Sequence, residues 1–221
     1  MNFKNPIILG SKSPRRRALL KYITSDFEVA SLEVNEEYPE LLPSYEVAEY
    51  LARKKALAYK ELFKNNVIIT SDTTVILDNA ILGKPDSFDQ GFTMLKSLAG
   101  RSHQVNTAVH ICFESKSQSI SEFTKVYFPK LDDSTITDYL KRFNPFDKAG
   151  AYGIQECVND ATAFYSPEEL SFLIHQKKID RSKEEFAKVK PSFLIESIEG
   201  SFFNVVGFPI VEFAKVLKEF V

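Results

Sequence analysis

Short apolar runs alternate along the chain with charged stretches of helical period, and the two patterns lay out most of the elements. Pro6 to Gly10 reads as a buried strand that stops at glycine, and Ser13-Pro14 as an N-cap with proline at the first helical position. Strand, loop and helix start therefore follow one another at once. Phe27 to Val34 alternates weakly as a strand, and Ser44 opens a long helix through Phe63 with Val47, Leu51, Leu57 and Ala58 as apolar positions among its charges. Val67-Ile68-Ile69 and Thr73 to Leu77 are β-branched runs that predict two strand segments.

Asp78-Asn79-Ala80 predicts a turn, and Ser87-Phe88-Asp89-Gln90 has the capping-box form at the start of a helix closed by Gly100. Val105 to Phe113 and Ser121 to Phe128 predict paired strands, and Ser134 to Phe143 a helix. Phe193 to Ile198 and Phe202 to Val206 read as a second strand pair around Glu199-Gly200. Phe213, Val216, Leu217 and Phe220 fall on one face of a C-terminal helix. Between Glu156 and Pro191 the chain turns charged, with Lys177-Lys178, Asp180-Arg181 and Lys183-Glu184-Glu185, and reads as helical and solvent-facing. Strands and helices intermix without strict alternation, which predicts an α/β fold with a mixed sheet.

Composition narrows the function classes. The chain has 221 residues, 44% hydrophobic and 26% charged, enough for one well-buried α/β unit or two closely joined lobes. Its formal charge of -2 argues against a long phosphate-tracking surface, so no nucleic-acid partner is expected and any anion site must be local. No run reaches the length of a membrane span and the start carries no apolar leader; the expectation is a cytoplasmic protein with no membrane partner. Cys112 and Cys157 form no CxxC or Cys/His array and are expected to be reduced core thiols; His103, His110 and His175 are too scattered for a histidine metal site.

Four segments carry candidate chemistry. In Gly10-Ser11-Lys12-Ser13-Pro14-Arg15-Arg16-Arg17 a strand ends at glycine and leads into a helix start with serines and guanidinium groups, a phosphate cradle that is neither a Walker A loop nor a dinucleotide fingerprint. The alternative is a capped helix with a solvated basic turn, although arginines at a helix N-terminus oppose its dipole. Asp72, in Ser71-Asp72-Thr73-Thr74, is a carboxylate between apolar strand segments, costly unless paired or metal-bound; Lys84, in Gly83-Lys84-Pro85, offers an ammonium on an adjoining loop. Asp72 as a simple turn or strand-end cap stays open. Glu36, Glu37 and Lys55 are weaker candidates. In Asp147 to Gln155 two glycines bracket Tyr152 before Gln155: the tyrosine could pack on a flat base or lie in the core, and the glutamine offers a donor and an acceptor to a base edge.

Taken together and in order, these segments resemble the Maf family, related in fold to the inosine triphosphate pyrophosphatases. The likeness is carried by Ser11 to Arg16, Asp72-Thr73, Lys84-Pro85, Gly100 to Thr107, Asp147 to Gln155, Gly200-Ser201 and Asn204 to Gly207. It implies a single domain over 1–221, with an elongated central sheet flanked by helices in two lobes around a cleft. The family implies Asp72 as proton acceptor for the attacking water, Arg15, Thr73 and Gln155 in substrate choice, and Arg16, Lys55 and Lys84 on the triphosphate. Ser11 and Ser13 belong to the same substrate-binding opening. Glu36 would help Asp72 place a divalent cation, Mg2+ or Mn2+. Gln155 resembles the branch acting on dTTP and UTP, so a nucleoside triphosphate pyrophosphatase releasing the monophosphate is expected. The alternatives are a non-catalytic nucleotide-binding regulator of septum formation and a pyrophosphatase for purine or modified nucleotides. Homodimers are common in the family. Glu156 replaces a usual glycine, and residues 156–191 are an atypical insertion.

Overall fold

A computed structural model describes residues 5–158, 161–178 and 194–220. The elements run β1 (Ile7–Gly10), α1 (Pro14–Leu20), β2 (Glu28–Ala30), α2 (Ser44–Leu62), β3 (Val67–Leu77), β4 (Ala80–Leu82), α3 (Phe88–Leu98), β5 (Ser102–Phe113), β6 (Lys116–Tyr127) and α4 (Asp133–Phe143). There follow α5 (Ile154–Cys157), α6 (Pro167–His175), β7 (Ser197–Glu199), α7 (Phe202–Val206) and α8 (Ile210–Leu217). Among the described residues the strands form one mixed sheet of order β2-β1-β3-β5-β6-β7, with β4 also paired to β3.

The pairing of β3 creates the feature that matters most. One edge of β3 runs antiparallel to β5 from Ile68 to Ile76. Its other edge meets β1 in parallel over Val67 to Thr70 and β4 antiparallel over Val75 to Leu77. Between those partners, Ser71 to Thr74 has an open strand edge. Ligands of α/β sheets gather where strand partners change, beyond the carboxyl end of a parallel strand, and here that point is the end of β1.

Both sheet faces are covered. On one, Ala48 and Ala52 of α2 pack on Ala108, and Thr70 Oγ1 donates to the Ala52 carbonyl at 2.7 Å. On the other lies the large core, where Leu19, Leu95, Leu98, Phe203, Phe208 and Phe213 are each no more than 4% exposed. At about 25 cal/mol per Å2 of apolar surface removed from water, burying such a side chain contributes about 1.5–3 kcal/mol before conformational entropy is counted.

Several expectations need correcting. The two strand segments at 67–69 and 73–77 are one eleven-residue strand, because Ser71, Asp72 and Thr73 keep their ladder with β5 although they lack the apolar pattern. The buried face of α2 takes Val47 and Leu51 as expected, together with Ala48, Ala52, Ala56 and Tyr59, while Leu57 is 66% exposed. Gln90 does not close a reciprocal capping box: Ser87 Oγ accepts from Gln90 N, but the Gln90 side-chain Oε1 accepts from Asp86 N rather than from Ser87 N. Phe202 to Val206 is a helix, capped by Ser201 Oγ on Asn204 N and ended by Gly207 at φ 116; only Ser197–Glu199 pairs, with β6. Four apolar residues around Asn204 carry no period that separates strand from buried helix. The charged segment after Glu156 is not uniformly solvent-facing, since Glu169 on α6 is 2% exposed. Its run at Asp180-Arg181 and Lys183 to Glu185 lies outside the described residues, as does Phe193.

Candidate active site

A cleft of about 760 Å3 opens at the free edge of β3. Its border includes Ser11, Ser13, Arg15, Arg16, Glu36, Lys55, Asp72, Thr73, Lys84 and Gln155, whereas Glu37, the other carboxylate offered after β2, does not line it. Because side chains alternate along a strand, Asp72 and Thr73 leave β3 on opposite faces, and the cleft unites them by straddling the edge.

On the α2 face, Lys55 Nζ contacts Asp72 Oδ1 and lies 2.7 Å from Glu36 Oε1. One ammonium therefore holds two carboxylates on a common point. Glu36 arrives on the segment after β2, which Tyr59 anchors by donating to the Ala30 carbonyl at 3.0 Å and accepting from Leu32 N at 2.8 Å. Tyr59 lies so close to β1 that a Cβ on Gly10 would stand 2.8 Å from its ring and 2.9 Å from Thr70 Cγ2; glycine is required there. Burial alone would raise the Glu36 carboxyl, but the Lys55 hydrogen bond and the charges of Lys55, Lys84 and Arg16 hold it below the usual range.

On the opposite face Arg16 works as a three-way clamp. Its Nε donates to Gly207 O at 3.0 Å, Nη1 to Ser71 O at 2.7 Å on the open strand edge, and Nη2 to Thr73 Oγ1 at 3.0 Å. Donor directions fix the rest: Thr73 Oγ1 passes its proton to Thr107 Oγ1 at 3.0 Å, and Thr107 donates to Asn204 O at 2.8 Å. Thr73 is thus engaged on both sides. A guanidinium has five N–H groups, so Arg16 keeps two for a ligand. Burial lowers its pKa, opposed by the neighbouring Asp72 charge. Ser11 Oγ accepts from Ser13 N at 3.2 Å and Ser13 Oγ caps Arg16 N at 3.4 Å, which shapes the loop while leaving each hydroxyl a proton to donate.

The third wall presents Gln155, exposed on α5. A chain of contacts leads to it from Arg15. Arg15 Nη1 donates to Asp147 Oδ2 at 3.2 Å, Lys148 Nζ to Asp147 Oδ1 at 2.7 Å, and Lys148 lies 2.9 Å from Glu156 Oε1. Tyr139 donates to Glu156 Oε2 at 2.8 Å and accepts from Gly153 N at 3.0 Å, two residues before Gln155. Burial would raise the Asp147 carboxyl, yet Lys148 and Arg15 outweigh it and lower its pKa. Lys148, with a side chain 12% exposed on the cleft, is a cation that sequence reading passed over; it lies inside a quoted motif, and only folding shows which way it points.

Tyr152 belongs to the core rather than to base stacking. It is 5% exposed, its hydroxyl pairs with His103 Nε2 at 2.7 Å, and its ring meets His103 and Phe128 edge-on. Burial lowers the His103 pKa to about 4. Cys112 and Cys157 are buried free thiols, as expected. Lys12, Arg15, Arg16, Lys55, Lys84 and Lys148 face Glu33, Glu36, Asp72 and Asp147 across the cleft, so this chain of net charge -2 concentrates positive charge where the strand edge is open. An anion contact near 4 Å is worth about 1 kcal/mol in water and about 4 kcal/mol at an effective dielectric of 20. Among the described residues no helix is long and apolar enough to cross a membrane.

The chain is similar to known proteins over most of its length. Residues 6–162 match the family model for Maf-like proteins. A dTTP/UTP pyrophosphatase of Porphyromonas gingivalis is 37% identical over 221 residues, covering 98% of this chain and 95% of that protein. One from Carboxydothermus hydrogenoformans is 38% identical, covering 96% and 97%. Among solved structures, a HAM1 protein from Coxiella burnetii aligns over 97% of this chain and 99% of its own at 14% identity, with a TM-score of 0.44. The chain belongs to the Maf family.

Proposed function

We propose that the chain is a nucleoside triphosphate pyrophosphatase for dTTP and UTP. The observation that carries this reading is the convergence of Asp72, Lys55, Glu36, Arg16 and Lys84 on one cleft at the open edge of β3. Asp72 takes the proton of the attacking water as its oxygen bonds to the α-phosphorus. The bond from that phosphorus to the bridging oxygen breaks, and pyrophosphate leaves with the electron pair. Arg16 with its two spare N–H groups, Lys55 and Lys84 offset the charge gathering on the leaving group. Lys55 also holds Asp72 and Glu36 together.

A divalent cation suits that pair. Two carboxylates that reach one point, with other positions left to phosphate oxygens and water, form the ligand set Mg2+ takes at nucleotide sites. Among the described residues no three of His, Cys, Asp and Glu gather into a protein-only cage. Glu36 and Asp72 would hold Mg2+ or Mn2+, which when bound supplies positive charge to the phosphates. Gln155, which lines the cleft together with Arg15, can both donate to and accept from a pyrimidine edge, and relatives bearing the dTTP/UTP name support the choice of substrate. We place the enzyme in the cytoplasm, where its substrates are.

The test is a panel of nucleoside triphosphates with Mg2+ or Mn2+, read by pyrophosphate release. dTTP and UTP should lead. Preference for inosine, guanine or methylated-guanine nucleotides would overturn the base assignment, and binding without turnover would leave a regulator instead of an enzyme.

A further inference from the structure

The clamp around Arg16 hangs on α7. Two carbonyls, one in the middle of the helix and one at its C-cap, receive the site's donors: Gly207 O takes Arg16 Nε, and Asn204 O takes Thr107, which orients Thr73 and through it Arg16 Nη2. A five-residue helix has almost no internal ladder and cannot hold its own position. Its opposite end is fastened by a group from the charged segment following the Gln155 motif. Glu169 on α6 is 2% exposed, and its Oε1 accepts from Ser201 Oγ at 2.7 Å and Phe203 N at 2.9 Å. Its Oε2 accepts from Phe202 N at 3.3 Å and from Ser166 N, the N-cap of α6 itself, at 2.8 Å. Four donors surround this carboxylate, and Ser201 Oγ relays the contact to Asn204 N at 3.0 Å.

We infer that Glu169 is a positioning residue for the active site: by capping α7 it sets the two carbonyls that aim Arg16 at the substrate, and the segment around α6 exists in part to deliver that carboxylate. Charge-assisted bonds from a buried carboxylate to backbone N–H groups at a helix start are among the stronger polar contacts a fold can make. The chain of contacts is continuous: Glu169, Ser201 and the first N–H groups of α7, then Asn204 and Gly207, then Thr107 and Thr73, then Arg16. Gln at this position would keep the volume, but its amide nitrogen would confront donors that now find an acceptor. The helix would shift or rotate, and a misplacement of an ångström in a group bearing on the phosphates lowers catalysis by up to about a hundredfold.

This inference rests on the pyrophosphatase reading for its turnover arm only. The experiment is a double-mutant cycle on the full chain with Glu169→Gln and Arg16→Lys, measured as kcat/KM for dTTP and UTP and as affinity for the non-hydrolysable α,β-imido-dUTP, with thermal melting as the control for folding. Glu169→Gln is expected to lose about tenfold to a hundredfold in kcat/KM while still folded at the assay temperature. The double variant should fall little below Arg16→Lys alone, because both changes remove the same clamp. Losses that multiply, or a folded Glu169→Gln variant with wild-type constants, would make Glu169 a stability residue only and overturn the inference. Should Glu169→Gln prove unfolded, the same cycle run with Ser201→Ala decides by the same criterion. An unmutated chain that binds nucleotide without turning it over would refute the pyrophosphatase reading, and the affinity cycle would still judge the relay.

Discussion

Replacing Arg16 by lysine keeps the charge and removes the fork. The guanidinium donates to three oxygens at 3.0, 2.7 and 3.0 Å that lie on a loop carbonyl, a strand edge and a hydroxyl. A single ammonium cannot reach all three, so about two bonds are lost. Bonds to charged groups contribute about 1.5–3 kcal/mol each, and water entering from the cleft recovers part of that, leaving a net loss of about 2–4 kcal/mol. For a domain of this size each kcal/mol moves the melting temperature by about 2–4 °C, so the variant should melt roughly 5–15 °C lower. It should also lose kcat/KM, because lysine gives the phosphates a point charge with no fixed orientation. The assays are calorimetric melting and steady-state turnover, with the exposed Arg17→Lys as a control that changes neither. If Arg16→Lys melted with the wild type and kept its kcat/KM, the three contacts would hold neither the fold nor the substrate.

Asp72→Asn should lower kcat by about 10²–10⁴ with far less change in nucleotide affinity; an unchanged rate would remove Asp72 as the base. Tyr139→Phe strips the acceptor from Gly153 N and the donor to Glu156, and should destabilise by about 1–3 kcal/mol in denaturant titration while raising KM for dTTP. Burial, reinforced by Glu169 and Glu212 and opposed by Ser201 and Lys215, raises the Glu122 pKa to about 7. A folded pKa above the unfolded one gives stability that is full below about pH 4.5 and is lost as the pH rises through about 7. The whole shift would bound the effect at about 3 kcal/mol, and solvent screening of this half-buried group reduces it to about 1–2 kcal/mol. Wild-type melting should therefore fall more steeply over that range than in Glu122→Gln, and parallel profiles would contradict the assignment.

How much of this was legible in the sequence depended on whether the signal was local. The Ser13 cap, the strand into Gly10, the turn at Asp78-Asn79 and the existence of the paired strands β5 and β6 follow from neighbouring residues, although β5 starts three residues and β6 five residues before the apolar pattern predicts. The site motifs were legible as segments. Their meeting was not: Asp72 and Thr73 leave opposite faces of β3, and only the change of partner from β1 to β4 opens an edge where both can bear on one ligand. α7 departs from the strand its sequence predicts because its helix is decided by Ser201, Gly207 and a carboxylate from another segment, not by any period within Phe202 to Val206. Glu169 and Lys148 look in sequence like ordinary surface charges, and only burial among partners distinguishes them.

Hydrolysis of dTTP in water carrying heavy oxygen reports directly which phosphorus the attacking water bonds to. The label should appear in thymidine monophosphate, with unlabelled pyrophosphate as the other product. Label in pyrophosphate, or diphosphate and free phosphate as products, would place the reacting bond elsewhere and contradict the assignment of the cleft.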